Sequence, residues 1–375
     1  GSSMDETRLD RRKFFKTAGL GAGATLATTA LAAPAIAQAM PEVKWRVQSS
    51  FPKSLDTIYG GGVTIAETVA ALTDGKFQID VGEAGRFVPG PQALDAVQND
   101  TVEACHTCSH YFVGRDPTFA IGTALPFGLN ARMQNAWIIE GGGQKLLDDF
   151  YAGYNIVSFV AGNTGVQMGG WFRKEIKGID DLKSVKMRIA GLGGMVMAKL
   201  GAVPQQIPGG DIYPALEKGT IDSAEWVGPY DDEKLGFYQV APYYYYPGFW
   251  EGGPSIHLFV NKAKWEALPP AYQAALKAGA ATANQTMLAK YDVKNNTAIR
   301  SLVGKGVKLR PFPRDVLEAA YGAAFGIYGE ISAKNANFKT IYEPWKKFRD
   351  ESYQWFRVAE YTFDSFGFAQ QAKGG

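Results

Sequence analysis

Chemistry-bearing residues are scarce in this chain. Among 375 residues there are two cysteines and three histidines. Cys105 and Cys108 lie in A-C-H-T-C-S-H, a C-x-x-C that can serve a redox pair, a haem or half a metal site. Haem attachment wants His directly after the second Cys, and here that residue is Ser109. Cys105, His106, Cys108 and His110 include zinc-type ligands, but the run has the character of a strand, on which Cys105 and His106 face opposite sides. No second C-x-x-C exists, so the favoured reading is small side chains on a strand approaching a cleft. His106, His110 and His257 are too few and too scattered for a histidine-based triad or metal site. An excess of one charge is also missing: 39 Lys and Arg stand against 37 Asp and Glu, a net +2 with both signs interspersed. That balance gives no reason to expect a nucleic-acid partner. No G-x-G-x-x-G opens a helix after a strand. Gly191-Leu192-Gly193-Gly194 lacks the third glycine and the later ribose acid, and neither a P-loop nor a G-x-S-x-G is present.

Length and composition point to an ordinary globular protein too long for one core, so two lobes are expected. Hydrophobic residues make up 46% of the chain, the share of an ordinary globular protein, and disorder is not indicated. Gly1-Ser2-Ser3 has the look of a tag remnant before Met4. Asp10-Arg11-Arg12-Lys13-Phe14-Phe15-Lys16 and the Ala/Gly/Thr-rich stretch after it resemble a twin-arginine export signal. Ala35-Ile36-Ala37 and Ala37-Gln38-Ala39 are small-x-small cleavage candidates, and the stretch is too short and too polar to span a bilayer. Residues 1–39 are therefore assigned to tag and export signal, with a mature protein starting near residue 38, soluble and extracytoplasmic. No Cys near the cleavage point offers a lipid anchor, and no later run is long enough to cross a membrane.

The mature chain opens with strand 43–51, then helix 57–72 with Ile58, Ile65, Val69 and Leu72 at helical spacing. Strand 77–87, helix 93–99 and strand 102–112 follow. This alternation predicts an α/β domain with a mainly parallel sheet. Residues 96–104 and 215–223 share a pattern: a helix ends, a Thr–β-branched–acid triplet follows, and a strand runs into small residues. Two similarly built lobes are expected from it, with ligand-facing residues beyond the strand ends, at Cys108 to Tyr111 and at Glu225-Trp226. Further strands are predicted at 156–172, 186–190, 202–208 and 256–260, and helices at 192–200, 271–301, 316–331 and 342–361. The aromatic run 243–250 is expected in a hinge or cleft wall. The last helix carries so many aromatics that it needs a surface to bury against, its own hinge or another subunit.

Gln167, Arg188, Glu225-Trp226 and Glu251 lie in or just after apolar runs. An Arg in an apolar strand needs an anion, which its planar fork can hold bidentately, and that anion is either a protein carboxylate or a ligand. Glu225 and Glu251 could form a glycosidase dyad. Arg188 beside them is expected to hold both ionised, with neither poised as an acid, so an enzyme is not the favoured reading.

Four blocks carry a resemblance: G-V-Q-M-G-G-W-F-R, K-G-I-D-D-L-K-S-V-K-M-R-I-A-G, L-G-A-V-P-Q-Q-I-P and D-I-Y-P-A-L-E-K-G-T-I-D-S-A-E-W. In order and spacing they resemble the solute receptors of TRAP (tripartite ATP-independent periplasmic) transporters, closest to the branch that binds 2-oxo acids such as pyruvate. The resemblance implies an α/β, two-lobed periplasmic-binding-protein-like fold with mixed sheets, a long helix spanning both lobes, and a C-terminal helix exchanged in a homodimer. By the same resemblance lobe I is assigned to residues 40–162 plus 250–290, lobe II to 163–249 plus 291–330, and the dimerising extension to 331–375. Arg188 falls on the carboxylate-clamping position, with Gln167, Trp226, Tyr111 and Asn163 as further substrate contacts. A metal ion, Na⁺ or alternatively Ca²⁺, is implied beside the substrate, held by the side chains of Gln167, Glu225 and Glu251 and the backbone of Trp226. Where other members carry Asn, Trp226 argues against sialic-acid-type sugars. The implied partners are a small carboxylate and the membrane permease subunits, in the periplasm. Charge agrees with the metal: a ligand carboxylate facing Glu225 and Glu251 is repelled unless a hard cation intervenes. The competing reading of Arg188 is a plain buried salt bridge to Glu225. The competing class is a secreted enzyme or redox protein using Cys105 and Cys108 or the Glu225–Glu251 pair.

Overall fold

A computed structural model describes residues 40–374, so the arginine pair and the cleavage candidates lie outside the described residues. From Lys44 onward the chain forms one compact unit that holds two sheets. The first has the order β2-β1-β3-β10-β4, with β1 (Val43–Ser49), β2 (Phe77–Gly82), β3 (Ala104–Thr107), β4 (Ile156–Asn163) and β10 (Ser255–Asn261). The second has the order β11-β9-β5-β8-β6-β7. Its strands are β5 (Gly170–Phe172), β6 (Lys186–Arg188), β7 (Val203–Gln205), β8 (Ser223–Ala224), β9 (Tyr243–Tyr246) and β11 (Lys308–Pro311).

Both sheets are mixed. β1 and β3 run parallel, as do β6, β7 and β8, but β10 runs antiparallel to β3 and β4, and β5 antiparallel to β8 and β9. The mainly parallel sheet read from the first alternation is thus corrected, because strands that return from the other sheet enter against their neighbours. β10 is buried along its whole length, which explains its unbroken apolar run Ile256 to Val260. The repeat pattern is real in the fold. Helix Ala93–Gln98 leads into β3 and helix Gly209–Lys218 into β8, and each strand lies parallel to a strand earlier in the chain.

The predicted single strand 156–172 is two strands in different sheets. The break falls where glycines cluster: Gly165 takes a left-handed φ of 72°, and Asn163 holds the turn by accepting from Gly165 N at 2.8 Å. Gly170 then starts β5 at φ 88°, where a Cβ would meet Ala224 O of the paired strand at 2.7 Å. The aromatic run contributes a strand, β9, as well as a wall: the Trp171 and Tyr244 rings stack at 3.8 Å.

Helix Pro270–Gly304 runs for 35 residues, on the order of 50 Å at 1.5 Å per residue. It packs on β4 and on helix Asp56–Leu72 beside the first sheet, and on helix Pro229–Leu235 beside the second. The aromatic C-terminal helix starts at residue 336, where Asn335 accepts from Phe338 N, and not at 342 as periodicity suggested. Its inner half covers its own chain: Tyr342 and Trp345 pack on Tyr328, and Arg349 Nε donates to Phe127 O at 2.7 Å. Past residue 356 the aromatics are uncovered, with Phe363, Phe366 and Phe368 all exposed.

Cys105 and His106 face opposite sides of β3, as the alternation required. Cys105 sits in one apolar cluster, while His106 Nε2 meets Ala161 O at 3.0 Å. Cys108 belongs to the other apolar cluster. Both cysteines are free and buried, and burial pushes both thiols up. The native protein should therefore leave both thiols unlabelled by an aromatic disulfide reagent until denaturant is added. Rapid labelling before unfolding would overturn the structural reading of this C-x-x-C.

Candidate functional site

Arg188 ends β6, and Glu225 follows the last residue of its parallel neighbour β8. Adjacent parallel strands thus deliver an arginine and a glutamate to one point at their carboxyl ends. Arg188 Nη1 donates to Glu225 Oε1 at 2.9 Å and to Glu225 O at 2.7 Å, and Arg188 Nε to Ile207 O at 2.8 Å. Glu225 Oε1 also accepts from Ala190 N at 3.2 Å. Both side chains are almost wholly buried. The salt bridge weighed as the alternative for Arg188 is therefore made. It takes Nε and both protons of Nη1, which leaves only the Nη2 corner for a second anion. Of the two anions the sequence left open for Arg188, the protein carboxylate is the one present here.

Gln167, Glu225-Trp226 and Glu251 come from three segments that are hydrogen-bonded to each other through their backbones. Gln167 N donates to Glu251 O at 3.0 Å, Gly248 N to Gln167 O at 2.8 Å and Met168 N to Val227 O at 3.0 Å. Gly248 permits this approach: a Cβ there would meet Gln167 O and Met168 O at 2.6 Å. The functional groups converge as well. Gln167 Nε2 donates to Thr164 Oγ1, so the amide oxygen faces acceptors alone, 2.7 Å from Glu251 Oε2 and 2.8 Å from Trp226 O. Three oxygens this close need either the amide turned over, with its nitrogen donating to both, or a cation between them. With Glu225 beside them they make an all-oxygen set suited to a hard cation such as Na⁺ or Ca²⁺. Among the described residues no group of three or more His, Cys, Asp or Glu is placed to hold a metal ion, so a cation here would draw on the Gln167 amide and the Trp226 carbonyl beside the two glutamates.

The electrostatics corrects one expectation. The Arg188 charge does not offset the burial of either acid. Burial raises Glu225 despite the opposing pull of Arg188, and burial together with the neighbouring Glu225 carboxylate pushes Glu251 well up, toward the neutral acid. His110 Nε2 lies 3.6 Å from Glu251 Oε1, but burial, with Arg188 and His257 adding to it, pushes the imidazole down to about 3. The ring is neutral, so this contact is not an ion pair.

The cavity has two parts. The inner part, of about 10 Å³, is lined by Cys108, His110, Tyr111, Thr164, Gln167, Arg188, Glu225, Trp226 and Glu251 among others, and suits one ion or water. The outer part, of about 70 Å³, shares Tyr111 and Arg188 and adds Ser50, Pro91, Gln206, Pro208 and Gly209. The Trp226 ring lies under the Arg188 guanidinium at 5.1 Å and edge-on to Phe51 at 6.3 Å. Of the residues singled out in the sequence, Arg188, Gln167, Glu225, Trp226, Glu251 and Tyr111 come together here. Asn163 stands apart, its amide committed to Gly253 O and Gly165 N. Thr164 and the segment Gln206 to Gly209 were not foreseen; the only signal was adjacency to Asn163 and to the end of a predicted strand. At the rim, Gln206 Nε2 donates to Tyr111 O at 2.8 Å, and Asp56 accepts from Lys234, Lys294 and Tyr230. Partial burial raises Asp56, but those three donors outweigh it and hold the carboxyl well below its usual range.

Two more buried acids, Asp231 and Asp232, flank the site. Burial pushes Asp232 up to about 7, against hydrogen bonds from Tyr244 and Trp171. The folded state therefore holds a proton near pH 6 that the unfolded chain, titrating near pH 4, does not. For this group stability falls as pH rises from about 4 to about 7. Asp232→Asn should flatten that part of the stability–pH curve by up to about 1.4 kcal/mol per pH unit in chemical denaturation. Superimposable slopes for the two proteins would contradict the assignment.

The DctP family, described as bacterial extracellular solute-binding protein family 7, matches residues 48–335. A monocarboxylate 2-oxoacid-binding periplasmic protein of Nostoc is 46% identical over 365 residues, which is 97% of this chain and 100% of that protein. The crystal structure of a TRAP transporter solute-binding protein from Bordetella bronchiseptica is 54% identical at a TM-score of 0.88, covering 89% of this chain and 100% of that one. It is described as a mixed-occupancy dimer, with copurified calcium and picolinate in one site and the other apo. A TRAP periplasmic solute-binding protein from Pseudoalteromonas atlantica, with bound sodium and pyruvate, is 35% identical at a TM-score of 0.84, covering 86% of this chain and 99% of that one. The fold and the family match together show that this chain belongs to bacterial extracellular solute-binding protein family 7, the solute receptors of TRAP transporters.

Proposed function

We propose that the chain is a receptor and not an enzyme. It closes on a small 2-oxo or 2-hydroxy monocarboxylate such as pyruvate together with Na⁺ or Ca²⁺, and delivers the acid to the membrane permease subunits. The observation that carries this reading is the convergence of the Gln167 amide, Glu251 Oε2 and Trp226 O, with the Glu225 carboxylate near by, beside an arginine with one free corner. The Nostoc, Bordetella and Pseudoalteromonas proteins lend support through the ligands in their descriptions.

The roles follow from charge and geometry. Arg188 Nη2 takes the ligand carboxylate, while Nη1 stays with Glu225. Gln167, Glu225, Glu251 and the Trp226 carbonyl hold the cation, which supplies positive charge to the ligand's carboxylate and oxo oxygens. One guanidinium cannot balance two carboxylates and an anionic ligand, so the cation is required for binding and not an ornament of it. Tyr111 and the Trp226 ring exclude water from the ligand, and Asn163 fixes the turn that presents Thr164 and Gln167. Contacts to both sides of the cavity favour the closed arrangement.

The lobe assignment is 40–162 plus 250–290 for lobe I and 163–249 plus 291–330 for lobe II. It is supported by the placement of β1 to β4 and β10 in one sheet and the remaining strands in the other. Residues 331–375 belong to the dimerising extension, which the uncovered aromatics past residue 356 support. Residues 1–39 act as the tag and twin-arginine signal that take the chain to the periplasm.

In calorimetry, pyruvate should bind tightly with Na⁺ or Ca²⁺ present and lose most of its affinity after exhaustive dialysis against chelator in Na⁺-free buffer; cation-independent affinity would sink the reading. Arg188→Met should weaken binding by more than about 100-fold, and a near-native dissociation constant would make Arg188 purely structural. Removing residues 357–375 should turn a dimer into a monomer in sedimentation. An unchanged mass would exclude the aromatic tail as the interface.

A further inference from the structure

Asp231 and Asp232 open the short helix Pro229–Leu235, and neither lines the cavity. Both are fully buried, at 0% and 1% exposure. The hydrogen bonds they accept come from neutral donors. Asp231 Oδ2 accepts from Trp226 Nε1 at 3.0 Å and from Tyr291 Oη at 2.9 Å. Asp232 Oδ2 accepts from Trp171 Nε1 at 3.1 Å and Tyr244 Oη at 2.7 Å, and Asp232 Oδ1 from Val227 N at 3.3 Å. Two adjacent carboxylates held without a direct cationic partner are expensive for a fold to keep. What they share is Trp226.

Each carboxylate grips a different handle of that residue. Asp231 holds the indole, whose face lies 5.1 Å under the Arg188 guanidinium and whose edge Gly209 abuts, where a Cβ would meet the ring at 2.8 Å. Asp232 holds the peptide between Trp226 and Val227. That peptide is trans, so its N–H and C=O point in opposite directions. With the N–H fixed on Asp232, the Trp226 carbonyl is aimed at Gln167 and Glu251, 2.8 Å from the Gln167 amide. The other ends of both carboxylates are tied to stiff parts of the fold: Tyr291 on the long helix, and the stacked Trp171 and Tyr244 on β5 and β9. Resting on the functional reading above, we infer that Asp231 and Asp232 are positioning residues that divide Trp226 between them: Asp231 sets the indole for the ligand and Arg188, and Asp232 sets the backbone carbonyl for the cation.

A merely structural pair and a pair that acts through Trp226 behave differently in two titrations of the full-length chain. One titrates Ca²⁺ without organic ligand; the other titrates pyruvate at saturating Ca²⁺. Asp232→Ala should raise the Ca²⁺ dissociation constant by about 10-fold or more, the scale for groups that orient a metal's ligands, and shift the pyruvate constant less than about 3-fold. Asp231→Ala should show the reverse split, and in a Trp226→Phe background, which has no indole N–H to hold, it should cost nothing further. Should the alanine variants fold poorly, Asp231→Asn keeps an acceptor oxygen for Trp226 and Tyr291 and should retain most of both affinities, whereas Asp232→Asn keeps one acceptor where two oxygens accept and should still weaken Ca²⁺ more than pyruvate. In the cation-free protein the Trp226 indole proton should exchange slowly with solvent, and quickly once Asp231 is Ala. Equal losses in both titrations, no loss in either, or an undiminished cost of Asp231→Ala in the Trp226→Phe background would overturn the inference alone. A wild-type chain that binds neither Ca²⁺ nor pyruvate would overturn the functional reading, and this one with it.

Discussion

The site depends on three backbone hydrogen bonds that tie residues 167–168 to Val227 on one side and to Gly248 and Glu251 on the other. Gln167, Trp226 and Glu251 are far apart in the chain, and none is held in place by its own secondary structure. The bonds lock their segments into one unit, and the oxygens follow. Gly248 is the condition for this unit, because any side chain there would collide with two carbonyl oxygens. Everything else around the cavity can be described as support for that junction: β6 and β8 bring Arg188 and Glu225 up to it, and the paired aspartates steady Trp226 from behind.

Burial outweighs charge pairing in setting the site's electrostatics. A guanidinium next to two carboxylates invites the expectation of two ionised acids, but burial raises both, and Glu251 further because Glu225 lies beside it. The arginine is for the same reason not a free clamp. Its fork is mostly taken by Glu225 and Ile207, and its remaining corner is where a ligand can add an interaction without displacing one.

Much of this architecture was readable from residues alone. Period-2 and period-3.6 patterns located β1 and the helix after it, and an unbroken apolar run located β10, which is buried on both faces. The charged cluster was readable because Arg, Glu and Gln in apolar runs have to be explained. What escaped was local. Residues 156–172 looked like one strand because apolar content is blind to a change of sheet, and only the positive φ at Gly165 and Gly170 separates the halves. Asn163 sat in the right motif, yet its amide turned inward to stabilise the turn. Thr164, Gln206 and the aspartates carry no pattern of their own; their meaning comes from what long-range packing brings against them.

The strand order of the first sheet has a consequence for how the chain is made. β10 lies between β3 and β4, although it is formed by residues 255–261, long after both of them. Until that segment has emerged from the ribosome, the facing edges of β3 and β4 have no partner, and the early half of the chain cannot close its own sheet. Vectorial, amino-terminus-first folding is therefore denied to this lobe. The chain commits to its native topology late, when about seven-tenths of it has been synthesised, and until then its open strand edges have to be kept from pairing with other chains.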